Sequence, residues 1–356
     1  MKLFKIKLSG LWLIFFICSK PLLFCQVHSG TEQDSTYILS LKHRPHLTFE
    51  FARRLQSIQI RNPLVESVFV QYDPNTSTNL MASFDYKWIS LSIGLVNFNA
   101  DDSFRKGHTD QFSLRASFNG KRFWNTNFIQ WYQGFHLANP SIADKNWDPL
   151  VDPYPYRSDI SSFTLFSNLH YCFNPSKFSY RASLWQLDKQ KKSAGSLIGG
   201  VSYRLNVVTS DTNQVLIPSS LESSFAPEYR INAQALSNFT IHLGYIHSFV
   251  FKRNWFLTLY FLPGISFQNG NYQVRNQLPT TERSQMVGAS EFRFILGYNS
   301  DKWFAGLSSH SLSFTGNERL QIWIDNNYTW TRLFVGYRFK QINKERIPKW
   351  MHKIGL

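Results

Sequence analysis

From about residue 45 onward the chain repeats one pattern, apolar then polar, over segments that commonly reach ten residues or more. In one stretch Phe239, Ile241, Leu243 and Tyr245 alternate with Thr240, His242 and Gly244; in another Phe112, Leu114, Ala116 and Phe118 alternate with Ser113, Arg115, Ser117 and Asn119. Phe178, Tyr180, Ala182 and Leu184 likewise alternate with Ser179, Arg181 and Ser183, and Leu333, Val335, Tyr337 and Phe339 with Arg332, Gly336 and Arg338. Successive side chains of a strand point to opposite faces, so each segment has one greasy side and one polar side. A soluble sandwich shows the same alternation, and length separates the two. Soluble strands average about five or six residues, whereas a tilted strand crossing a bilayer needs roughly 9–11.

Three further features point to the membrane. Aromatic residues make up 17% of the chain and charged residues only 17%, against about a quarter charged in soluble domains. The mean hydropathy of −0.27 nevertheless excludes a bundle of apolar helices. Aromatic residues crowd the segment ends, at Tyr86, Trp88, Trp124, Trp131, Tyr132, Trp255, Trp303, Tyr328 and Trp330, where interfacial girdles belong. Connections alternate between tight ones, at 119–121, 174–176, 252–254 and 299–301, and long ones, at 99–109, 136–160 and 276–285. The expected fold is therefore all-β, a transmembrane antiparallel up-and-down β-barrel. Fourteen candidate strands fall near 46–55, 66–73, 79–86, 88–98, 110–119, 122–135, 161–173, 176–187, 195–208, 236–250, 254–275, 286–299, 302–315 and 320–339. The 66–73 segment is weak and 210–235 shows little alternation, so the expected count is about 12 strands, within 10–14.

Residues 1–25 read as a signal peptide, with Lys2, Lys5 and Lys7 ahead of an apolar run from Leu8 to Cys18 that is too short to span a membrane. Cleavage before Gln26 is expected, with lipidation of Cys25 as the rival. The expected organisation is a periplasmic segment at 26–44, the barrel at 45–340 and a basic periplasmic tail at 341–356, in the cell outer membrane. Only Cys172 lies beyond the signal, which excludes an internal disulfide in the mature chain and a cysteine-based zinc cluster. The net charge of +15 includes four lysines of the signal. Lipid is the expected partner of such a barrel, and nucleic acid is not.

Several segments resemble the predicted outer-membrane proteins grouped as domain of unknown function 4421. The resemblance is carried by Tyr86-Lys87-Trp88, the run from Gln130 to Phe135, Phe173-Asn174 with Lys177 to Arg181, the run from Gln190 to Ser196, Ile217-Pro218 and Gly297-Tyr298. It spans roughly residues 45–340 and implies a barrel with no catalytic residues to carry over.

If the apolar faces meet lipid, the polar faces line the interior. That places Arg115, Arg181, Arg204, His242, Arg293, His310 and Arg338 in the lumen, with Glu50, Asp85 and Glu291 as acidic partners. A basic lumen favours anions, so a pore for small anionic solutes is one expectation. The other is that Arg and Glu pair across a filled barrel, leaving a structural or binding protein that displays its loops. The segment 136–160, with Trp147 and Pro153-Tyr154-Pro155-Tyr156, suits sugar or protein contact, and the basic run from Gln190 to Ser193 suits a phosphate or acidic sugar outside the membrane. A lipid-active enzyme would need a serine beside a base. Ser308 and His310 share a face, and Asp101, Asp102, His108 and Asp110 crowd one loop, but no serine-hydrolase motif or metal-ligand spacing accompanies them. Neither catalysis nor a cofactor is expected.

Overall fold

The computed structural model describes residues 33–61, 65, 68–75, 78–98, 103–211, 214–227, 230–275, 280–315, 324–325 and 328–341. Twelve strands close into one antiparallel ring: β2 (His46–Gln56), β5 (Thr78–Tyr86), β6 (Ile89–Phe98), β7 (Asp110–Asn119), β8 (Phe123–Leu137), β9 (Tyr156–Cys172), β11 (Ala194–Thr209), β12 (Ile231–Phe251), β13 (Trp255–Val274), β14 (Thr280–Asn299), β15 (Trp303–Thr315) and β17 (Tyr328–Arg338). Each pairs with the next in the chain, and β17 closes on β2 from Leu47↔Tyr337 to Gln56↔Tyr328. Closure leaves no edge strand, the condition for a sheet in lipid. Among the described residues no helix is long and apolar enough to cross a membrane; the strands make the crossings.

Two of the fourteen expected strands fall outside the ring. The 66–73 segment supplies β4 (Phe69–Asp73), which pairs with β3 (Ile58–Arg61) in a hairpin beyond the long-loop end, joined there by β16 (Ile324–Asp325). The 176–187 segment is not a strand. It carries α2 (Tyr180–Leu184), capped by Ser179, whose Oγ accepts from the Ala182 amide at 3.2 Å. A first short helix, α1 (Ser103–Lys106), lies in the 99–109 loop. The alternation at 178–184 is a false signal because every residue from Phe178 to Gln190 is buried, so the segment has no wet face to alternate with. It runs on into β10 (Asp188–Gln190), which pairs with β1 (Ile38–Ser40) from the N-terminal segment. Residues 174–193 thus fold back into the tight-turn end as a plug.

The outward faces are apolar. Along β13 the outward series is Trp255, Leu257, Leu259, Phe261, Pro263, Ile265 and Phe267, and along β12 it includes Leu243, Tyr245 and Phe249. The aromatic girdle is only partly as expected. Trp255 packs on Tyr298 and Trp303 on Tyr337 outside the tight-turn end, but Trp124 and Tyr132 are fully buried inside and Trp330 lies against interior arginines. Their even numbers put them on the inward parity of their strands.

The interior is filled in three layers. At the tight-turn end Trp124, Phe178, Tyr180, Leu184, Trp185 and Phe304 belong to one apolar cluster. At the long-loop end Ile60, Tyr72, Phe135, Val208, Leu216 and Phe225 belong to another. The ambiguous stretch 210–235 supplies part of that second cluster and the start of β12. A polar waist lies between them.

Candidate functional site

All ten predicted lumen residues are buried on the inward face or in the plug. Glu50 on β2 lies 3.0 Å from Arg115 of β7 and 2.6 Å from Arg332 of β17, and accepts from Ser83 Oγ at 3.0 Å. Arg115 also donates to Ser92 Oγ at 2.8 Å and lies over the rings of Trp185 and Trp330. Glu291 on β14 lies 2.6 Å from Arg293, 3.0 Å from His310 and 3.9 Å from His170. His242 pairs with Ser202 Oγ at 2.8 Å, Asp85 with His46 at 3.1 Å, and Arg204 lies over the Phe314 ring. A lone buried charge is very costly in such surroundings, and each carboxylate of the waist meets a basic group.

Arg181 lies in the plug and Arg338 reaches it from the wall. Arg181 donates three hydrogen bonds of 2.6–2.9 Å to the Asp188 carboxylate, which also accepts from Ser179 Oγ at 2.7 Å. Arg338, at the end of β17, donates to the plug carbonyl of Gln186 and to Asn299 Oδ1 at 2.7 Å; Asn299 donates in turn to the Asp188 carbonyl at 3.0 Å. Tyr180 stacks on Trp124 at 4.2 Å, its hydroxyl shared between the Gly120 and Phe123 carbonyls. Arg332 joins plug and wall, donating to both Glu50 and the Leu184 carbonyl. The basic run ahead of β11 therefore sits at the tight-turn end, where Lys192 lies over Tyr37 and Lys191 Nζ donates to Ser35 O at 2.9 Å. The run thus lies at the end opposite the long loops, with its lysines against the N-terminal segment.

Sequence reasoning missed Arg332, Asp188, His46 and His170. Arg332 and His46 carry the same parity as Arg338 and Glu50, which is the signal that could have found them. Ser308 and His310 do share the interior face, but His310 is turned to Glu291. His108 and Asp110 pair at 3.2 Å on the surface, and Asp101 and Asp102 lie outside the described residues. No group of metal ligands occurs among the described residues.

The long-loop end holds a cavity of about 810 Å³ between the 138–155 and 214–222 segments, walled by Tyr72, Trp147, Pro153, Pro155 and Ile217. Two ion pairs flank it, Arg157 with Asp159 at 2.7 Å and Arg275 with Glu222 at 2.6 Å, and Asp144 and Asp152 add two further carboxylates to its lining. Burial pushes the Tyr72 phenol up to about 12, so this ring keeps its hydroxyl proton.

Apolar outside, polar and filled inside, closed by a strand-to-strand ladder: these features define a transmembrane β-barrel of the outer-membrane type. The family model described as domain of unknown function DUF4421 matches residues 32–339, and the chain belongs to that family. No curated protein matches it. Among solved structures it is similar to the translocator domain of autotransporter NalP from Neisseria meningitidis, at 10% identity and a TM-score of 0.35, covering 93% of this chain and 98% of that one. It is also similar to the Pseudomonas putida toluene transporter TodX (8% identity, TM-score 0.25, 90% and 92% covered) and to the transport unit of AIDA-I from Escherichia coli (9%, 0.30, 91% and 97%). At these TM-scores the likenesses carry nothing beyond that statement.

Proposed function

We propose that the protein is a non-conducting binding barrel, closed at rest, which presents the cavity at its long-loop end to a hydroxyl-rich solute. The observation that carries this reading is the filled interior: an open channel would leave Arg115, Glu50, Arg293 and Glu291 wet, and each is less than a tenth exposed. Support for the ligand class comes from the cavity itself. Trp147 and Tyr72 offer ring faces, and the Asp144 and Asp152 carboxylates are acceptors for hydroxyls. Such surfaces suit saccharide-like ligands, whose C–H faces pack on rings and whose hydroxyls take scattered polar groups.

A second reading, a gated pore, is favoured by one feature. The plug's backbone bonds run to the N-terminal segment, as a three-pair ladder with β1 flanked by single bonds at Asp34, Tyr37 and Leu41, and it meets the barrel wall through side-chain contacts. A barrel carrying a removable plug would conduct anions once opened.

Single-channel recording of the refolded chain in planar bilayers tests the first reading. The expected result is a folded barrel that passes no steady current. Steady anion-preferring conductance by the unmodified chain would overturn it.

A further inference from the structure

The outward apolar belt is not of one height. On β13 it runs unbroken from Trp255 to Phe267, twelve steps, or about 30 Å of axial height at ~3.3 Å per residue and a tilt near 40°. That matches a bilayer's hydrocarbon core. On β15 the outward series begins beside its own tight turn with Trp303, Ala305 and Leu307, and then changes to Ser309, Ser311 and Ser313. On β17 it passes from Tyr337, Val335 and Leu333 to Thr331 and Thr329, and on β2 from Leu47, Phe49 and Phe51 to Arg53. Four steps of apolar strand give only about 10 Å, and exposed Phe339, just past the end of β17, adds about 5 Å there. Parity fixes the outward direction of the hydroxyls, because Ser308, His310, Leu312 and Arg332 between them are buried inside. No rigid tilt of the barrel equalises a 10 Å belt with a 30 Å one.

Three cross-strand hydroxyl contacts join the patch: Ser290–Ser313 at 2.7 Å, Ser309–Thr331 at 3.1 Å and Ser311–Thr329 at 3.4 Å. These hydroxyls satisfy one another and ask for no protein partner. Arg53, exposed in the same row, faces no carboxylate among the described outward residues of β15, β17 and β2. A second copy applied to this face would bring an arginine against hydroxyls alone. A lipid phosphate supplies the missing anion.

We propose that the bilayer is thinned along the face formed by β15, β17 and β2. Phospholipid or lipid A headgroups of the outer leaflet descend onto the hydroxyl patch, with Arg53 holding a phosphate. The short belt meets its lipid by thinning the bilayer rather than by burying hydroxyls in acyl chains. The consequence is a strip beside the closing seam of the barrel where the barrier to lipid or amphiphile movement is lowered.

Nitroxide labels on the refolded chain test this. One is placed at Ser311→Cys and one at Ile265→Cys, both in a C18S/C25S/C172S background, in phosphatidylcholine–phosphatidylglycerol vesicles with 16- and 18-carbon chains. Ile265 stands ten steps above Trp255 and Ser311 eight above Trp303, so in a uniform bilayer Ser311 is the deeper of the two. The expected result is the reverse: several-fold greater collision with a water-soluble nickel relaxant, relative to oxygen, at Ser311. Oxygen-dominated collision at both sites would overturn the proposal, as would protection of Ser311 from both reagents with spin–spin broadening, the mark of a second copy. In the S309L/S311L/S313L chain a label at Thr329→Cys should move to the oxygen-dominated pattern, with heat-modifiable migration on gels reporting that the barrel has folded.

Discussion

Asp188 is the residue on which the closed state turns. It is fully buried, and its carboxylate is the common acceptor for Arg181 and Ser179. Asp188→Ala leaves Arg181 in the plug without its carboxylate, and removing one member of a buried pair costs about 3–5 kcal/mol. The barrel strands do not use that carboxylate, so the cost falls on the closed plug alone. At about 1.4 kcal/mol per tenfold, the ratio of open to closed plug should rise roughly 10²- to 4 × 10³-fold. In planar bilayers the variant should show brief current openings that the unmodified chain lacks, and a chain with 176–190 replaced by a Gly-Ser linker should conduct persistently. The milder Asp188→Asn, which keeps an acceptor, should fall between them. The latch reasoning fails if the linker chain conducts while Asp188→Ala stays as silent as the parent. The plug reasoning fails altogether if the folded linker chain is also silent.

Two stability predictions concern the wall. Glu50→Ala strands two buried guanidiniums at once, so it should cost at least as much as one broken pair, about 3–5 kcal/mol, seen as a lower urea midpoint for loss of heat-modifiable migration; a change below ~1 kcal/mol would mean the waist is wet. The second compares two glycines. A Cβ at Gly244 would stand 2.1 Å from the Phe261 carbonyl oxygen, whereas at Gly199 the nearest atom is 3.4 Å away, on Phe173. Gly244→Ala should therefore depress refolding yield sharply and Gly199→Ala should leave it unchanged; equal yields would refute the packing argument.

What could be read in the sequence was whatever a two-residue period encodes. Parity alone sent Glu50, Arg115, Arg293, His310 and Arg338 inward, because a strand in lipid has only two directions to offer. The same rule failed from Phe178 to Leu184. There apolar and polar residues alternate, but Asn174-Pro175 has already ended β9, and Ser179 caps a helix that is buried on every side. Periodicity reports a boundary between two environments, and a plug inside a barrel has none. The aromatic girdle failed at Trp124 and Trp330 for a related reason. Tryptophan is drawn to an interface and to a guanidinium alike, and only the parity of its strand tells which. Pairing was the least legible: Arg115 and Arg332 meet at Glu50 only because β17 closes on β2, a contact between the two ends of the barrel sequence.

That closing contact explains why wall and plug behave as one unit. Arg332 is tied on one side to Glu50 of β2 and on the other to the Leu184 carbonyl, while its guanidinium also lies over Trp185 and Trp330. A guanidinium has five donors in a rigid plane, and this one spends them on both partners at once. The seam where the ring closes is thus one place where the plug is anchored from within, and it also carries a short outward belt. Lipid packing against a 10 Å belt lends these strands less lateral support than the β12–β13 side receives. The Glu50–Arg332–Leu184 bridge holds this seam from inside, and an event that loosens the plug reaches it through Arg332.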